Sequence, residues 1–450
     1  MLAVAIGIFF AIDFCGVRLT APEGTGAGLN TGGAGVSSSE ALMHVLVALG
    51  AVLIAGRLLG IGFRYVGQPP VIGEVVAGIL LGPSLLGRVW PDAAAFLLPT
   101  TVAPHLGMIA QLGVVLYMFL VGLELNPELL RERARSTIAI SHASIVAPFL
   151  MGTGLALYLY PRLSTSDVPF TSFALFMGVA LSITAFPVLA RILTDRQMQK
   201  SPLGVIALGC AATDDVTAWC LLAFVVGVAQ AKVGGAFVVI GCTLAYIAFM
   251  FLIARPIATR YFLRFGEHDI SANVVALVLA LLLGSALITE AIGIHAVFGA
   301  FLLGAIIPHD SALARALTTR LEDLVTVLLL PAFFAFTGLR TQIGLVSGLD
   351  QWLWCGLIIV VATAGKFGGT LAAARLTGLG WRDATSLGLL MNTRGLMELI
   401  VLNIGLDLRV ISPTLFAMMV LMALVTTMTT SPLLPRVAAA GERRLGHQPL

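Results

Sequence analysis

Two adjacent carboxylates, Asp214 and Asp215, stand in the middle of an apolar run that reads Ala211-Ala212-Thr213-Asp214-Asp215-Val216-Thr217. An ionisable side chain at mid-membrane costs roughly 2.5 to 3.5 kcal/mol on insertion scales, so such residues are functional candidates, usually paired and facing a bundle interior. Two bases share their depth, Lys366 in the run 351–375 and Arg394 in the run 382–405. Adjacent helical residues point about 100° apart. One aspartate can therefore face a base while the other faces water or an ion. A structural charge cluster explains part of the set: Lys366 with Asp214 is either such a pair or a switch, and Arg394 can pair with Glu398 four residues on. Asp215 is left over, and a spare carboxylate beside a paired one has no packing use at the centre of a membrane.

The backbone is interrupted at the same depth. Ser182-Ile183-Thr184-Ala185-Phe186-Pro187 places a proline in mid-helix, where it removes a hydrogen bond and frees carbonyls. Asn392-Thr393-Arg394-Gly395 is a polar, glycine-containing interruption in another helix. Two interrupted helices of opposite direction are the sequence pointer to inverted-repeat secondary transporters, whose broken helices present dipole ends and free carbonyls to an ion at the midplane. Thr184, Thr213, Pro187 and Asn392 thereby join the candidate site. Burial favours a carboxyl's neutral form and a nearby cation favours its ionised form, so one carboxylate can hold a proton or a monovalent cation but not both. Cation entry at Asp215 could also break the Lys366–Asp214 pair and release a second proton, which predicts electrogenic exchange.

The elements that must position these residues follow from composition. Of 450 residues, 58% are apolar and 11% charged, with a mean hydropathy of +1.00, against about 25% charged in an average soluble domain. A soluble enzyme is excluded. The net charge of +3 is too balanced for a nucleic-acid partner. A span needs about 20 apolar residues, and thirteen spans are expected, at 41–63, 70–88, 103–125, 137–160, 170–194, 201–230, 235–254, 270–291, 294–308, 320–338, 351–375, 382–405 and 410–433. Their short connections leave one membrane domain, residues 41–433. Connections after odd-numbered spans and the span ends beside them, with the tail, hold 18 Lys and Arg against 5 on the even-numbered side. By the positive-inside rule the first span starts outside and the C-terminus is cytoplasmic.

Residues 1–40 hold an apolar leader, Met1 to Ile12, too short to span and without a basic n-region, then a flexible stretch from Gly24 to Ser39. Residues 434–450 form a short cytoplasmic tail. Spans two to six and nine to thirteen each number five, and an odd count forces the second copy to insert upside down, so span five maps onto span twelve. The five cysteines show no metal-site spacing and read as packing residues. Glu74, Glu124 and Asp310 sit where interface solvation explains them, and Glu290 and His295 flank a tight turn that they would cap, although His295 could also sense pH. No HExxH motif and no Ser/His arrangement at one depth supports an intramembrane enzyme.

Residues 41–433 resemble the cation:proton antiporter superfamily, in particular the branch of bacterial potassium-efflux (Kef-type) proteins and plant cation/H+ exchangers. The resemblance rests on Gln68-Pro69-Pro70-Val71-Ile72-Gly73-Glu74 leading to Leu81-Gly82-Pro83-Ser84, on Phe119-Leu120-Val121-Gly122-Leu123-Glu124, on Ile183-Thr184-Ala185-Phe186-Pro187-Val188-Leu189-Ala190-Arg191, on Phe336-Thr337-Gly338-Leu339-Arg340 and on Asn392-Thr393-Arg394-Gly395-Leu396. It implies an all-α polytopic membrane protein of thirteen transmembrane helices, with inverted five-helix repeats, two broken crossing helices and a dimerisation domain beside a six-helix core. It also implies elevator-like alternating access. Asp215 matches the family's ion- and proton-binding carboxylate, Asp214 its neighbour, Lys366 the lysine that pairs with that neighbour, and Thr184 the polar residue of the unwound segment. The chain lacks the long C-terminal regulatory domain of the potassium-efflux and plant proteins, so gating by nucleotide or glutathione is not expected.

The expected function is exchange of Na+ or K+ for protons by a homodimer in the bilayer of a bacterial inner membrane, with no cofactor beyond the transported ions. An organic-cation efflux carrier or a cation channel on the same scaffold stays open. Against the carrier stands the scarcity of aromatic residues near the breaks, only Phe186 and Trp219, since cation recognition often uses aromatic faces. Against the channel stand the buried carboxylates, which favour stoichiometric exchange.

Overall fold

In hydrocarbon every backbone N–H and C=O must be satisfied within the protein, and the apolar runs of this chain do so as helices. The computed structural model describes residues 2–17, 19–21, 38–99, 102–124, 134–198, 201–230, 236–262 and 270–445. In chain order the helices begin with α1 (Leu2–Gly16), α2 (Ser38–Tyr65), α3 (Pro70–Leu81), the short α4 (Leu86–Val89) and α5 (Pro91–Leu97), α6 (Ala103–Leu123) and α7 (Ala134–Leu163). They continue with α8 (Phe170–Ser182), α9 (Phe186–Asp195), α10 (Pro202–Gln230), α11 (Ala236–Phe249), α12 (Arg255–Phe262), α13 (Ala272–Ile292) and α14 (Ala296–Ile306). The last are α15 (Ala312–Asp323), α16 (Leu330–Arg340), α17 (Gly348–Leu376), α18 (Trp381–Met391), α19 (Leu396–Asp407) and α20 (Pro413–Leu445). π-helical turns at Met250–Ala254 and Leu324–Leu329 join α11 to α12 and α15 to α16.

Among the described residues ten helices are long and apolar enough to cross a membrane, and α18 with α19, bent by 43°, makes an eleventh candidate. The protein is thus an integral membrane, all-helical molecule, and it carries the interruptions expected in the fifth and twelfth spans. The expected fifth span is two short helices, because Pro187 has no N–H with which to continue a helix from α8 and is tolerated only in a first turn, that of α9 starting at Phe186. The expected ninth span is only the 11 residues of α14, cut short by the left-handed Gly293 (φ 94°) and by Ile307 and Pro308. The expected tenth begins earlier, at Ala312, and α20 runs on to Leu445 past the expected end at 433. The apolar leader is helical: α1 packs on α7 and α8, and Asp13 accepts a 2.7 Å hydrogen bond from Thr171 Oγ1. Most of the stretch from Gly24 to Ser39 lies outside the described residues.

The helices sort into two groups. In one, α3 packs between α2 and α16, α6 packs on α14 and α16, and α13 pairs with α14. Gly78 and Gly338 let α3 and α16 meet backbone to backbone: a Cβ on Gly338 would lie 2.1 Å from the Gly78 carbonyl carbon. In the other, α7 is central, flanked by α17, α8 and α10, with α18 and α20 against α17. The interior charge cluster lies with this second group, to which α19, bearing Glu398, belongs through its packing on α20 and α8.

Candidate ion-binding site

The site sits where α8–α9 and α18–α19 are both unwound. Residues Ile183 to Ala185 and Asn392 to Gly395 are non-helical, and the two gaps touch: Ala185 N–H donates to Thr393 O at 3.0 Å. Gly395 makes the approach possible, since a Cβ there would lie 2.6 Å from Val188 Cγ2. A helix that stops inside a bundle leaves its last carbonyls without partners and concentrates partial negative charge there. Two cations answer that at the end of α8. Arg394 Nη1 donates to Ala180 O at 2.8 Å and Nη2 to Leu181 O at 2.6 Å, and Lys366 Nζ donates to Ser182 O at 2.5 Å.

Arg394 is also paired with Glu398, Nη1 to Oε2 at 2.9 Å, both fully buried. Its main chain is tied to α20 by Thr427, whose Oγ1 accepts from Arg394 N–H at 2.9 Å and donates to Arg394 O at 2.6 Å. Arg394 and Glu398 thus brace the crossing.

Asp214 and Lys366 form the second buried pair, 2.8 Å from Nζ to Oδ2 with neither side chain exposed. Ser141 Oγ donates to Asp214 Oδ1 at 2.6 Å, Ser144 Oγ reaches Oδ2 at 2.8 Å, and Thr184 Oγ1 reaches Oδ2 at 2.9 Å. A buried charge is tolerated when it is paired and its remaining lone pairs are satisfied, and here four groups from α7, α17 and the first break do so. Thr184 is placed on Asp214 rather than beside Asp215, and its hydroxyl also lies 3.2 Å from Met391 O at the second break.

Asp215 is the opposite case. It is 2% exposed, and neither carboxyl oxygen has a hydrogen-bond partner. Among the described residues the N–H of Phe186, the first amide of α9, is directed toward it but makes no hydrogen bond. A buried ionised carboxylate without partners is costly, so the position calls for a proton or a cation. Trp219 on α10 stacks on Phe301 of α14 with ring centroids 6.4 Å apart, so the helix that carries Asp215 lies at the seam between the two helix groups. The other buried acceptors without partners include Asn392 Oδ1 at the second break and Glu398 Oε1. Thr213 Oγ1 is spent on Gly209 O at 2.8 Å, and Pro187 occupies the first turn of α9 rather than a helix middle. No group of three or more His, Cys, Asp and Glu side chains gathers among the described residues.

Outside the spans, burial and the nearby Glu322 push the Glu124 carboxyl up. At the other end, Glu290 Oε2 accepts from Ala296 N–H at 2.8 Å and His295 Nδ1 from Val297 N–H at 3.4 Å, so both residues cap α14. Burial holds the His295 ring below its ordinary pKa, and Glu290 and Asp407 pull it back. At this end Arg340 on α16 crosses the seam to α19, donating to Asn403 Oδ1 at 3.0 Å and to Asp407 Oδ1 at 2.6 Å.

Ser141 and Ser144 were not legible as site residues. Their signal is spacing: three residues apart in an apolar helix, they share one face.

The sequence and the fold are similar to those of known proteins. The family model described as "Sodium/hydrogen exchanger, transmembrane" matches residues 39–436. The chain is 43% identical over 406 residues to the Na(+)/H(+) antiporter NhaS4 of Synechocystis sp., covering 89% of this chain and 99% of that protein. It is 40% identical to cation/H(+) antiporter 20 of Arabidopsis thaliana, covering 86% of this chain but only 48% of the plant protein. The chain therefore spans about half the length of that plant relative. Among solved structures, the sodium proton antiporter MjNhaP1 of Methanocaldococcus jannaschii superposes with a TM-score of 0.65 over 89% of this chain and 98% of that one, at 15% identity. That likeness is one of fold.

Proposed function

This chain belongs to the family of transmembrane sodium/hydrogen exchangers, and from that premise we propose that it trades a monovalent cation for protons by loading and unloading one carboxylate, Asp215. It is a transporter and not an enzyme. The observation that carries the reading is the contrast between neighbours: Asp214 is saturated by four donor groups, while both Asp215 oxygens are buried and unpartnered. A proton and a cation compete for that one carboxylate, and competition for a single site is exchange. Asp214 and Lys366 border the site. Thr184, Asn392 and the Phe186 amide supply the polar surroundings of the crossing, and Arg394 with Glu398 holds the crossing together.

The finer architecture we infer is thirteen spans in two inverted five-helix repeats, supported by the breaks at Ile183–Ala185 and Asn392–Gly395 meeting at one depth. The protein works as a homodimer in a bacterial inner membrane, with the Arg340 end outside and the C-terminus in the cytoplasm, as the distribution of Lys and Arg favours. Release of a second proton when the cation displaces Lys366 from Asp214 makes the cycle electrogenic, and 100 mV then contributes roughly 2.3 kcal/mol per charge moved. Both Na+ and K+ are oxygen-coordinated cations that such a site accepts. Family membership speaks against a channel or an organic-cation carrier.

The test is proton flux in proteoliposomes with Na+ or K+ added at imposed voltages. Asp215→Asn keeps the side chain's shape but cannot ionise, so cation-induced proton movement should vanish. Exchange that persists in a folded Asp215→Asn protein would falsify the scheme.

A further inference from the structure

A cavity of about 500 Å³ lies away from the ion site, between the segment Ala236–Phe262 and the pair α13 and α14. Tyr246, Met250 and Ile257 line one wall, Leu281 and Gly284 the other, and Ile306 the floor. The two polar side chains in the lining are spent on each other and on the backbone: Tyr246 Oη lies 2.6 Å from Ser285 Oγ, which donates to Gly299 O at 2.6 Å. With its polar groups satisfied, the cavity offers nothing to an ion or to ordered water. It suits hydrocarbon. Ile257 is 63% exposed and Leu281 46%, so the cavity opens on a lipid-facing flank.

Charge stands at one end of this cleft. The π-helical turn Met250–Ala254 forms part of its wall, and Arg255 follows directly, between the lining residues Ala254 and Ala258, with Arg260 one turn further on. Both arginines are exposed, and neither makes an ion pair among the described residues. Arginines where an apolar helix leaves the bilayer sit at headgroup level, and basic pockets between helices on the cytoplasmic side bind anionic headgroups.

We propose that this cleft holds an acyl chain of an anionic glycerophospholipid from the same leaflet, with the lipid phosphate on Arg255 and Arg260. The occupied cleft ties the connecting segment, which links the two helix groups in sequence, to α13 and α14. The inference is independent of the exchange reading.

The test uses the full chain, delipidated in detergent, with dioleoyl phosphatidylglycerol or dioleoyl phosphatidylcholine added, and reads lipid retention by native mass spectrometry and the thermal midpoint. The wild type should retain phosphatidylglycerol roughly thirtyfold better than phosphatidylcholine, the contribution of two arginines, and only phosphatidylglycerol should raise the midpoint. Arg255→Gln with Arg260→Gln should erase the difference. Gly284→Trp supplies the second arm: a Cβ at Gly284 meets nothing within 4 Å and the residue lines the cleft, so the indole projects into the cleft and should expel both lipids. Equal retention of the two lipids, or retention unchanged by both sets of substitutions, overturns the proposal. So does a Gly284→Cys protein that cross-links to a second copy, because the cleft is then covered by protein.

Discussion

Lys366 and Asp214 meet at 2.8 Å with both side chains fully buried, and the ammonium simultaneously closes the end of α8 through Ser182 O. One side chain therefore serves two negative partners, a carboxylate and a helix terminus. Removing it leaves both uncompensated, while removing Asp214 leaves the lysine still on Ser182 O and frees the hydroxyls of Ser141, Ser144 and Thr184. The asymmetry predicts how the pair will respond to mutation.

Lys366→Ala should destabilise the protein by about 3 to 5 kcal/mol, the usual cost of stranding one member of a buried pair. The double replacement of Asp214→Asn with Lys366→Met should recover most of that loss. Thermal unfolding of the single and double variants gives the coupling through a mutant cycle. Additive losses, with no recovery in the double variant, would show that the two groups do not depend on each other.

Ser141 and Ser144 on α7 give Asp214 two of its hydroxyl donors. Hydrogen bonds to a charged acceptor contribute about 1.5 to 3 kcal/mol each. Ser141→Ala and Ser144→Ala should therefore each cost stability in that range and leave exchange measurable, in contrast to Asp215→Asn. Complete loss of transport in a stable Ser141→Ala protein would place the serine in the ion path and not in support of Asp214.

The interior charges were legible in the sequence because a lysine or an aspartate in an apolar run has few places to go. The pairing of Arg394 with Glu398 follows from four-residue spacing, and the solitary state of Asp215 follows by elimination. Three-dimensional contacts were harder to read. That Thr184 serves Asp214 depends on how two unwound segments cross, and nothing in the local pattern of Ile183-Thr184-Ala185 encodes the position of α10. The serines were hidden for a related reason: a hydroxyl in a membrane helix can always bond back to its own backbone, as Thr213 does to Gly209, so type and depth alone do not mark it. The break at Pro187 was legible from proline chemistry, whereas the length of the ninth span was misjudged where Gly293 turns the chain.

His295 caps α14 only while Nδ1 is a free acceptor, that is, while the ring is neutral. Burial lowers its pKa from 6.5, against the pull of Glu290 and Asp407. The unfolded ring takes its proton first, so this contribution to stability is complete above pH 6.5 and is lost as pH falls from there toward the folded value. The thermal midpoint of the wild type should drop between about pH 8 and about pH 5 more than that of His295→Asn, which keeps an acceptor and does not titrate. Identical pH profiles would remove His295 as the source.

Arg340 joins α16 to α19 across the seam, while the rest of α16 packs on α3 and α6. If α19 moves with the core group during transport, this contact has to break. The Arg340–Asp407 pair is 20% and 44% exposed, so its contribution to stability is small, under about 1 kcal/mol, and its effect is on which state is populated. Val114 lines the narrow gap beneath it and is 3% exposed. In a background with Cys15, Cys220 and Cys242 replaced by serine, Val114→Cys should resist a membrane-impermeant maleimide added on the Arg340 side. Adding Arg340→Ala should make it react while the thermal midpoint hardly moves. Unchanged protection would mean that packing along α6 and α19, and not the arginine, keeps that side shut.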